Sequence, residues 1–370
     1  MKEWSNPWNP FNSAKVLLWK EHLEACAEED YLPPVTVDID PSNKCMFDCP
    51  HCNAYDMMSH SNNLMSGEHM LKLVGFLEHW RGSTRHHTPM SACISGGGEP
   101  YMNKEMTTLL EAMYGNGMES GIITTGYPMT DKDIDVAAIT ARWVGFSVDA
   151  ATPLTYNKVK GITKIGSIRK VIENIKKLVK RVEHHKSNCD VAFKFLLTPD
   201  NANEIYDAIV LAKQIGVKDF HLRPAGWDNL SKVSEKPKFD QNIISYINSQ
   251  IEAGMKLETK DFRVFGVRHK FNPDFSRKIP FSRCWAIPLI PTFGADGNVH
   301  LCFDMRGRED LILCRHDPDP YELLRFWNTD KHREIIRSVQ VEDCPRCTFG
   351  AYNEIVEKVI INDSMCKYFP

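Results

Sequence analysis

The chain has 370 residues, 42% hydrophobic and 25% charged, with a mean hydropathy of -0.36; it is long enough for a sizeable core and two or three domains. A net charge of -3 excludes broad electrostatic capture of nucleic acid or of an acidic membrane. No apolar run approaches the roughly 20 residues of a membrane span, and the polar start MKEWSNPWNPFNS lacks a signal-peptide core, so a cytoplasmic location is expected.

Residues 1–34 read as an N-terminal arm, with Trp4, Trp8 and Phe11 expected to pack on the core. From Val35 the chain alternates strand-like and helix-like segments. Val35–Asp40 is a first strand. A helix follows Ser66, with Met70, Leu73, Leu77 and Trp80 on one face. Met90–Ser95, Gly121–Thr125, Trp143–Val148, Val191–Leu197 and Asp219–Leu222 are the next five strands. Helices over 103–114, 131–141, 167–185 and 203–215 separate them, and Ile168, Ile172, Ile175, Val179 and Val182 form the apolar stripe of the third. Six β-α repeats imply a parallel sheet with helical crossovers, either doubly wound or curled into a partial barrel. Function then gathers at the C-terminal ends of the strands.

The pattern breaks after residue 225. Residues 228–240 read as a connection, 241–254 as a helix and 262–268 as a strand closing a first domain over 35–270. A cysteine-rich segment, 281–360, holds a hairpin turning at Asp296–Gly297, a helix over 331–338 and a last helix around 350–360. Residues 361–370 are a tail.

Twelve cysteines in a large, unexported chain point to metal ligation rather than a disulfide framework. Cys45, Cys49 and Cys52 have three and then two residues between them and directly follow the first strand. Three thiolates on one short loop hold three corners of a cubane iron–sulfur cluster and leave the fourth iron open. A zinc site is the alternative, but structural zinc wants four ligands, and the neighbours Pro50 and Cys52 cramp His51 as a fourth. The second strand ends in Gly96-Gly97-Gly98-Glu99-Pro100, where Cβ-free backbone admits a ligand and Glu99 offers an acceptor to an ammonium group.

Together the triplet and the Gly-Gly-Gly-Glu run resemble the cluster and glycine-glutamate motifs of the radical S-adenosylmethionine (SAM) superfamily. Ile123-Thr124-Thr125-Gly126 resembles that family's third-strand segment, with Thr125 in place of the usual Asn. Phe146-Ser147-Val148-Asp149 resembles its fourth-strand segment, whose serine and aspartate lie near the SAM ribose and carboxylate. Lys160, before Gly161, stands where relatives often carry arginine, a point charge instead of a bidentate fork. His51 takes the commonly aromatic position beside the third cysteine. Leu222 and Arg223, ending the sixth strand, join the expected cofactor or substrate contacts; Arg223 suits a carboxylate or phosphate and equally a barrel carboxylate. The resemblance implies a partial (β/α)6 TIM-like barrel, an α/β fold, with a small C-terminal cysteine-rich β-hairpin and helix domain. It also implies SAM bound through its amino and carboxylate groups to the open iron, one-electron cleavage to a 5′-deoxyadenosyl radical, and hydrogen abstraction from substrate.

Cys284, Cys302, Cys344 and Cys347 supply four thiols, enough for a closed four-iron cluster or equally for tetrahedral zinc. Their setting resembles the Twitch auxiliary domain of radical SAM enzymes, which favours iron. The longer SPASM domain continues with two more cysteines, where this chain has Asn353 and Glu357; one auxiliary [4Fe-4S] cluster is therefore expected. Cys314 and Cys366 complicate the count, Cys314 reading better as a packed residue, and Cys26, Cys93 and Cys189 read as structural. The run Lys176, Lys177, Lys180 and Arg181 reads as a solvated helix face, and His86–His87 and His184–His185 lack metal-ligand spacing.

The resulting expectation is a radical SAM oxidoreductase whose auxiliary cluster takes the electron left on the substrate radical. A redox-neutral radical SAM enzyme, a peptide-modifying one and a non-catalytic zinc protein are the alternatives. The partners expected are a small-molecule or peptide substrate and a low-potential donor such as flavodoxin or ferredoxin, with neither membrane nor nucleic acid. The 34 residues before the first strand are too few for a leader-binding module, which tilts the expectation towards a substrate presented without a leader.

Overall fold

The computed structural model describes residues 13–55, 61–83, 85–163, 167–225, 239–266, 272, 273, 275, 278–344 and 347–361. Trp4, Trp8, Phe11, Cys366, most of the 228–240 connection and nearly all of the tail lie outside them.

Seven strands run parallel and in sequence order: β1 (Val37–Ile39), β2 (Ser91–Ile94), β3 (Glu119–Thr124), β4 (Ala141–Ser147), β5 (Asp190–Leu197), β6 (Asp219–Pro224) and β7 (Arg263–Gly266). Five of the crossovers carry a helix of eight or more residues next to the sheet: α2 (Gly67–Gly82), α3 (Met106–Gly115), α4 (Asp131–Thr140), α7 (Ile205–Ile215) and α8 (Gln241–Met255); the β4–β5 crossover carries α5 (Pro153–Lys160) and α6 (Ser167–His185). The first helix of the chain, α1 (Lys20–Glu28), precedes them. This is the mixed α/β layout of a partial barrel, with one more strand than the six repeats.

The helix faces follow from periodicity. Met70, Leu73, Leu77 and Trp80 of α2 are all buried, and the Ser66 hydroxyl accepts from the His69 amide at 3.2 Å to start the helix. On α6 the inward set is Ile168, Val171, Ile175 and Leu178, with Ile172, Val179 and Val182 partly buried beside it. The basic run is surface: Lys177 pairs with Asp131 at 2.6 Å and Arg181 with Asp135 at 2.7 Å. The sequence reading passed over α5, although its signals are ordinary. Thr152 caps it, Pro153 takes its first turn, and Gly161 ends it at φ 61°.

The cysteine-rich segment extends the same sheet. β8 (Thr292–Phe293) pairs in parallel with Asp38 and Ile39 of β1; β9 (Asn298–His300) and β10 (Ile312–Arg315) follow antiparallel. The turn falls at Asp296–Gly297, with Gly297 at φ 81°. The hairpin is as expected; its union with the barrel sheet is not, because a two-residue, wholly buried strand carries no periodic signal. After β10 come α9 (Glu322–Phe326), α10 (Asp330–Ser338) and α11 (Gly350–Ile355), which runs on as a π-helical turn over Val356–Ile361.

The N-terminal segment latches onto this C-terminal part. Glu29 pairs with Arg283 and Arg337, and Trp327 Nε1 donates to the Tyr31 and Leu32 carbonyls at 3.1 and 3.0 Å. Among the described residues no helix is long and apolar enough to cross a membrane.

Candidate radical SAM and iron–sulfur sites

The chain leaves β1 through Asp40-Pro41-Ser42-Asn43-Lys44 into the cysteine loop, and three other segments fix that loop by backbone bonds. The Gly98 amide donates to the Ser42 carbonyl at 2.8 Å, and the Glu99 amide to the Lys44 carbonyl at 2.9 Å. The Asp48 amide donates to the Lys160 carbonyl at 3.0 Å, and Asn103 Nδ2 to the carbonyls of Pro41 and Met65 at 2.8 Å each. Two glycines are obligatory for these approaches. A Cβ on Gly98 would lie 2.2 Å from the Lys44 oxygen, and one on Gly161 would lie 2.0 Å from the Asp48 oxygen. The fingerprint glycines thus press two loops together.

Cys45, Cys49 and Cys52 are half-buried on this loop and are electrostatic neighbours. Burial pushes the Cys45 thiol up to about 11 and the Cys49 thiol up to about 12, and the surrounding thiols add to it. Lys160 acts in the opposite sense on both. Its ammonium is buried 2.5 Å from Asp149, whose other oxygen accepts from the Leu196 amide at 2.6 Å. Burial alone would push this ammonium down; the Asp149 carboxylate and then the Cys49 thiol outweigh it and hold it above the ordinary lysine value. Asp149 and Lys160 therefore satisfy each other behind the cysteine loop. Asp149 adopts φ 64°, which turns the chain from β4 towards α5.

Glu99 is likewise engaged within the protein. Its carboxylate accepts from the Tyr101 amide at 3.2 Å, the Thr124 hydroxyl at 2.5 Å, and the Thr125 amide and hydroxyl at 2.7 Å each. A carboxylate offers about four lone-pair sites, so all are engaged and the side chain braces the loop. Thr125, where the family pattern has Asn, supplies two of the four donors. Burial pushes the Glu99 carboxyl up against these four bonds.

Among the remaining expected contacts, His51 is buried beside Cys52. Ser147, at the end of β4, is half-buried and in register with Lys194. Leu222 has Phe195 as its register partner, so its side chain lies with Phe193 and Phe220 on the apolar face of the strands. Arg223, one residue on, faces the other way, into the lumen.

That lumen is charged, which the sequence reading missed. Asp38, Asp40, Cys93, Trp143, Lys194, His221 and Arg223 alternate with apolar residues along their strands. Gly121 and Gly145 leave room for the Trp143 ring and the Lys194 chain, whose ammonium lies 5.2 Å over that ring. Burial, then Arg223, brings Lys194 down to about 8; burial, then Asp40, takes Asp38 up to about 7. Arg306 enters from the C-terminal part, donating to the Gly96 carbonyl at 2.5 Å and pairing with Asp40 at 3.1 Å. The period-two polar positions inside DVAFKFLL were the available signal for Lys194. Nothing local in the sequence signals Arg306.

The second sulfur group forms between β9 and α11. Cys284 and Cys302 are buried, Cys344 and Cys347 half-buried, and each of the four is an electrostatic neighbour of another. Asn353 Nδ2 lies 3.7 Å from Cys284 Sγ and 3.8 Å from Cys347 Sγ. Cys314, on β10 opposite Val299, stands apart from them. Burial raises the Cys284 thiol to about 12 and those of Cys302 and Cys347 well above the ordinary value, so thiolates here need a compensating cation. Four thiols converging from three segments fit that need. Among the described residues no three His, Cys, Asp or Glu side chains close to single-ion spacing.

A parallel partial barrel with three thiols after its first strand, clamped by a glycine loop after its second, is the architecture of a radical SAM enzyme core. Residues 39–209 match the family model described as the radical SAM superfamily. The family uses SAM and a [4Fe-4S] cluster. Among solved structures, the fold is similar to that of Streptococcus suis SuiB, at TM-score 0.64 and 14% identity over 93% of this chain and 79% of that one. SuiB bound to S-adenosylmethionine matches at TM-score 0.63 and 14% identity, over 96% and 81%. anSMEcpe with bound AdoMet and Cp18Cys peptide matches at TM-score 0.54 and 14% identity, over 82% and 83%.

Proposed function

We propose that the protein is a radical SAM oxidoreductase acting on a side chain within a peptide, with Cys45, Cys49 and Cys52 holding the SAM-binding cluster. The observation that carries this reading is the docking of Gly98 and Glu99 onto Ser42 and Lys44, which sets three thiols of a rim loop beside Cβ-free backbone. When bound there, SAM and its cluster supply a 5′-deoxyadenosyl radical that abstracts a substrate hydrogen atom. The chain's own residues position and insulate. Lys160 offsets the charge of the thiolates, Glu99 braces the glycine loop, and the barrel excludes water. In the proposed oxidation the substrate loses a hydrogen atom to form 5′-deoxyadenosine, then a proton and one electron. An external low-potential donor of the flavodoxin or ferredoxin kind supplies the electron that cleaves SAM.

We assign the second electron to an auxiliary cluster on Cys284, Cys302, Cys344 and Cys347, within an auxiliary unit over 281–360. The convergence of those thiols around Asn353 supports it. A peptide substrate is supported by the similarity to SuiB, which has been crystallised with precursor peptide SuiA, and to anSMEcpe with its bound peptide. The test is anaerobic reconstitution followed by SAM and a reductant. The expected result is about eight irons per chain and 5′-deoxyadenosine that increases with peptide. Zinc without sulfide, or SAM left intact under reduction, would overturn the reading.

A further inference from the structure

We infer that Asn353 is a positioning residue of the second sulfur site: its side-chain amide donates N–H···S hydrogen bonds to Cys284 and Cys347 and raises the reduction potential of the cluster they hold. The inference rests on the proposed auxiliary cluster and goes beyond its four thiolates.

Asn353 is fully buried, and every polar atom of its side chain has a function. Oδ1 accepts from the amides of Trp285 at 2.6 Å and Ala286 at 2.7 Å, the two residues following Cys284. Those donors fix the orientation of the amide, because the flipped rotamer would set NH2 against two N–H groups. Nδ2 is thereby aimed between the two sulfurs, at 3.7 and 3.8 Å. Asn353 sits on α11, six residues after Cys347, and Glu357 lies one turn further along the same face. Glu357 accepts from the Ser282 amide and hydroxyl, both at 2.9 Å, and from Trp285 Nε1 at 3.1 Å. Asn353 and Glu357 clasp the Cys284 segment from both sides. Of these two side chains Asn353 is the one that reaches the sulfurs, where it joins the backbone amides of Ile287 and Ala286 at Cys284 and of Phe349 at Cys347.

Donors to ligating sulfur stabilise the electron-rich, reduced form of a cluster, and hydrogen bonds to the sulfurs are among the factors that set its potential. Buried donors count most, since no water replaces them. An auxiliary cluster with a raised potential suits an acceptor of the substrate electron.

The test uses the full-length chain with Cys45, Cys49 and Cys52 all changed to Ala, so that any iron–sulfur signal comes from the second site. A redox titration followed by electron paramagnetic resonance compares this protein with the same protein carrying Asn353→Asp or Asn353→Ala. Asn353→Asp keeps the acceptor for Trp285 and Ala286 but sets a charged oxygen where the donor was, so Asn353→Ala, which brings no charge, decides whether the donor itself sets the potential. Both variants should shift the reduction equilibrium towards the oxidised form by roughly tenfold, about 59 mV for one electron. Unchanged potentials with the cluster retained would leave Asn353 a structural brace and overturn the inference alone. No iron–sulfur signal in the parent would overturn the auxiliary cluster and this inference with it. If the variants shed the cluster, the parent labelled with 15N in asparagine side chains decides. A 15N hyperfine coupling in the reduced cluster upholds the donor, and its absence removes it.

Discussion

The two sulfur groups of this protein are assembled in opposite ways. Cys45, Cys49 and Cys52 span eight residues of one loop, and the surrounding structure only clamps that loop. Cys284, Cys302, Cys344 and Cys347 span 64 residues and meet only once β9 has turned and α11 has docked. A local group exists as a motif before folding and needs shielding; a distributed group is a product of folding and holds the fold together in return. The difference matches the chemistry proposed. An open site needs access on a rim, whereas a closed electron carrier belongs among buried contacts.

Breaking the local group should have the largest effect. Cys49→Ala is expected to bring 5′-deoxyadenosine formation to background and iron from about eight to about four per chain, measured by chromatography and iron analysis.

The joint between the two regions should respond to acid. His316 bonds His69 of α2 at 2.8 Å and the Gly294 carbonyl of the hairpin at 2.9 Å. Burial, reinforced by His69, brings His316 down to about 4. The unfolded chain therefore binds the extra proton first. Its contribution is fully present above about pH 6.5 and is lost progressively as pH falls to about 4, by roughly 3 kcal/mol at most. Denaturant titrations across that window should show the slope, and His316→Asn should flatten it.

Unequal spans sharpen the comparison further. Removing Cys284 and Cys302 from reconstituted protein should cost about 2 kcal/mol more stability than removing Cys45 and Cys49, from the longer loop that the cluster closes. Equal losses in paired denaturation curves would mean that the second group does not cross-link the fold. The smallest effect expected is on SAM affinity. Gly98→Ala drives a methyl group against the Lys44 carbonyl and should weaken SAM binding about tenfold, some 1.4 kcal/mol, by calorimetry of the reconstituted protein.

The same contrast explains what could be read beforehand. Seven strands, the long helices between them and the hairpin turn were legible because each is a local period or a turn residue, whereas the short α5 was passed over. The cysteine loop was legible because its spacing is itself the chemistry. The bonds that saturate Glu99 were not legible, since the four donors come from Tyr101 and from Thr124 and Thr125 at the end of the next strand. Asp149 and Lys160 were likewise located, while their mutual pairing depends on how α5 turns back. Arg306 and Asn353 act across contacts of 210 and 69 residues, and no window of sequence contains both ends.

The parallel pairing of Thr292 and Phe293 with Asp38 and Ile39 has a practical consequence for protein engineering. Cutting the gene near residue 281 would strip a neighbour from the strand that delivers Cys45 and leave raw, aggregation-prone edges on both fragments. Chimaeras that graft another enzyme's tail onto this barrel would have to carry β8 with the barrel, so the natural splice point lies after the sheet partner rather than before it.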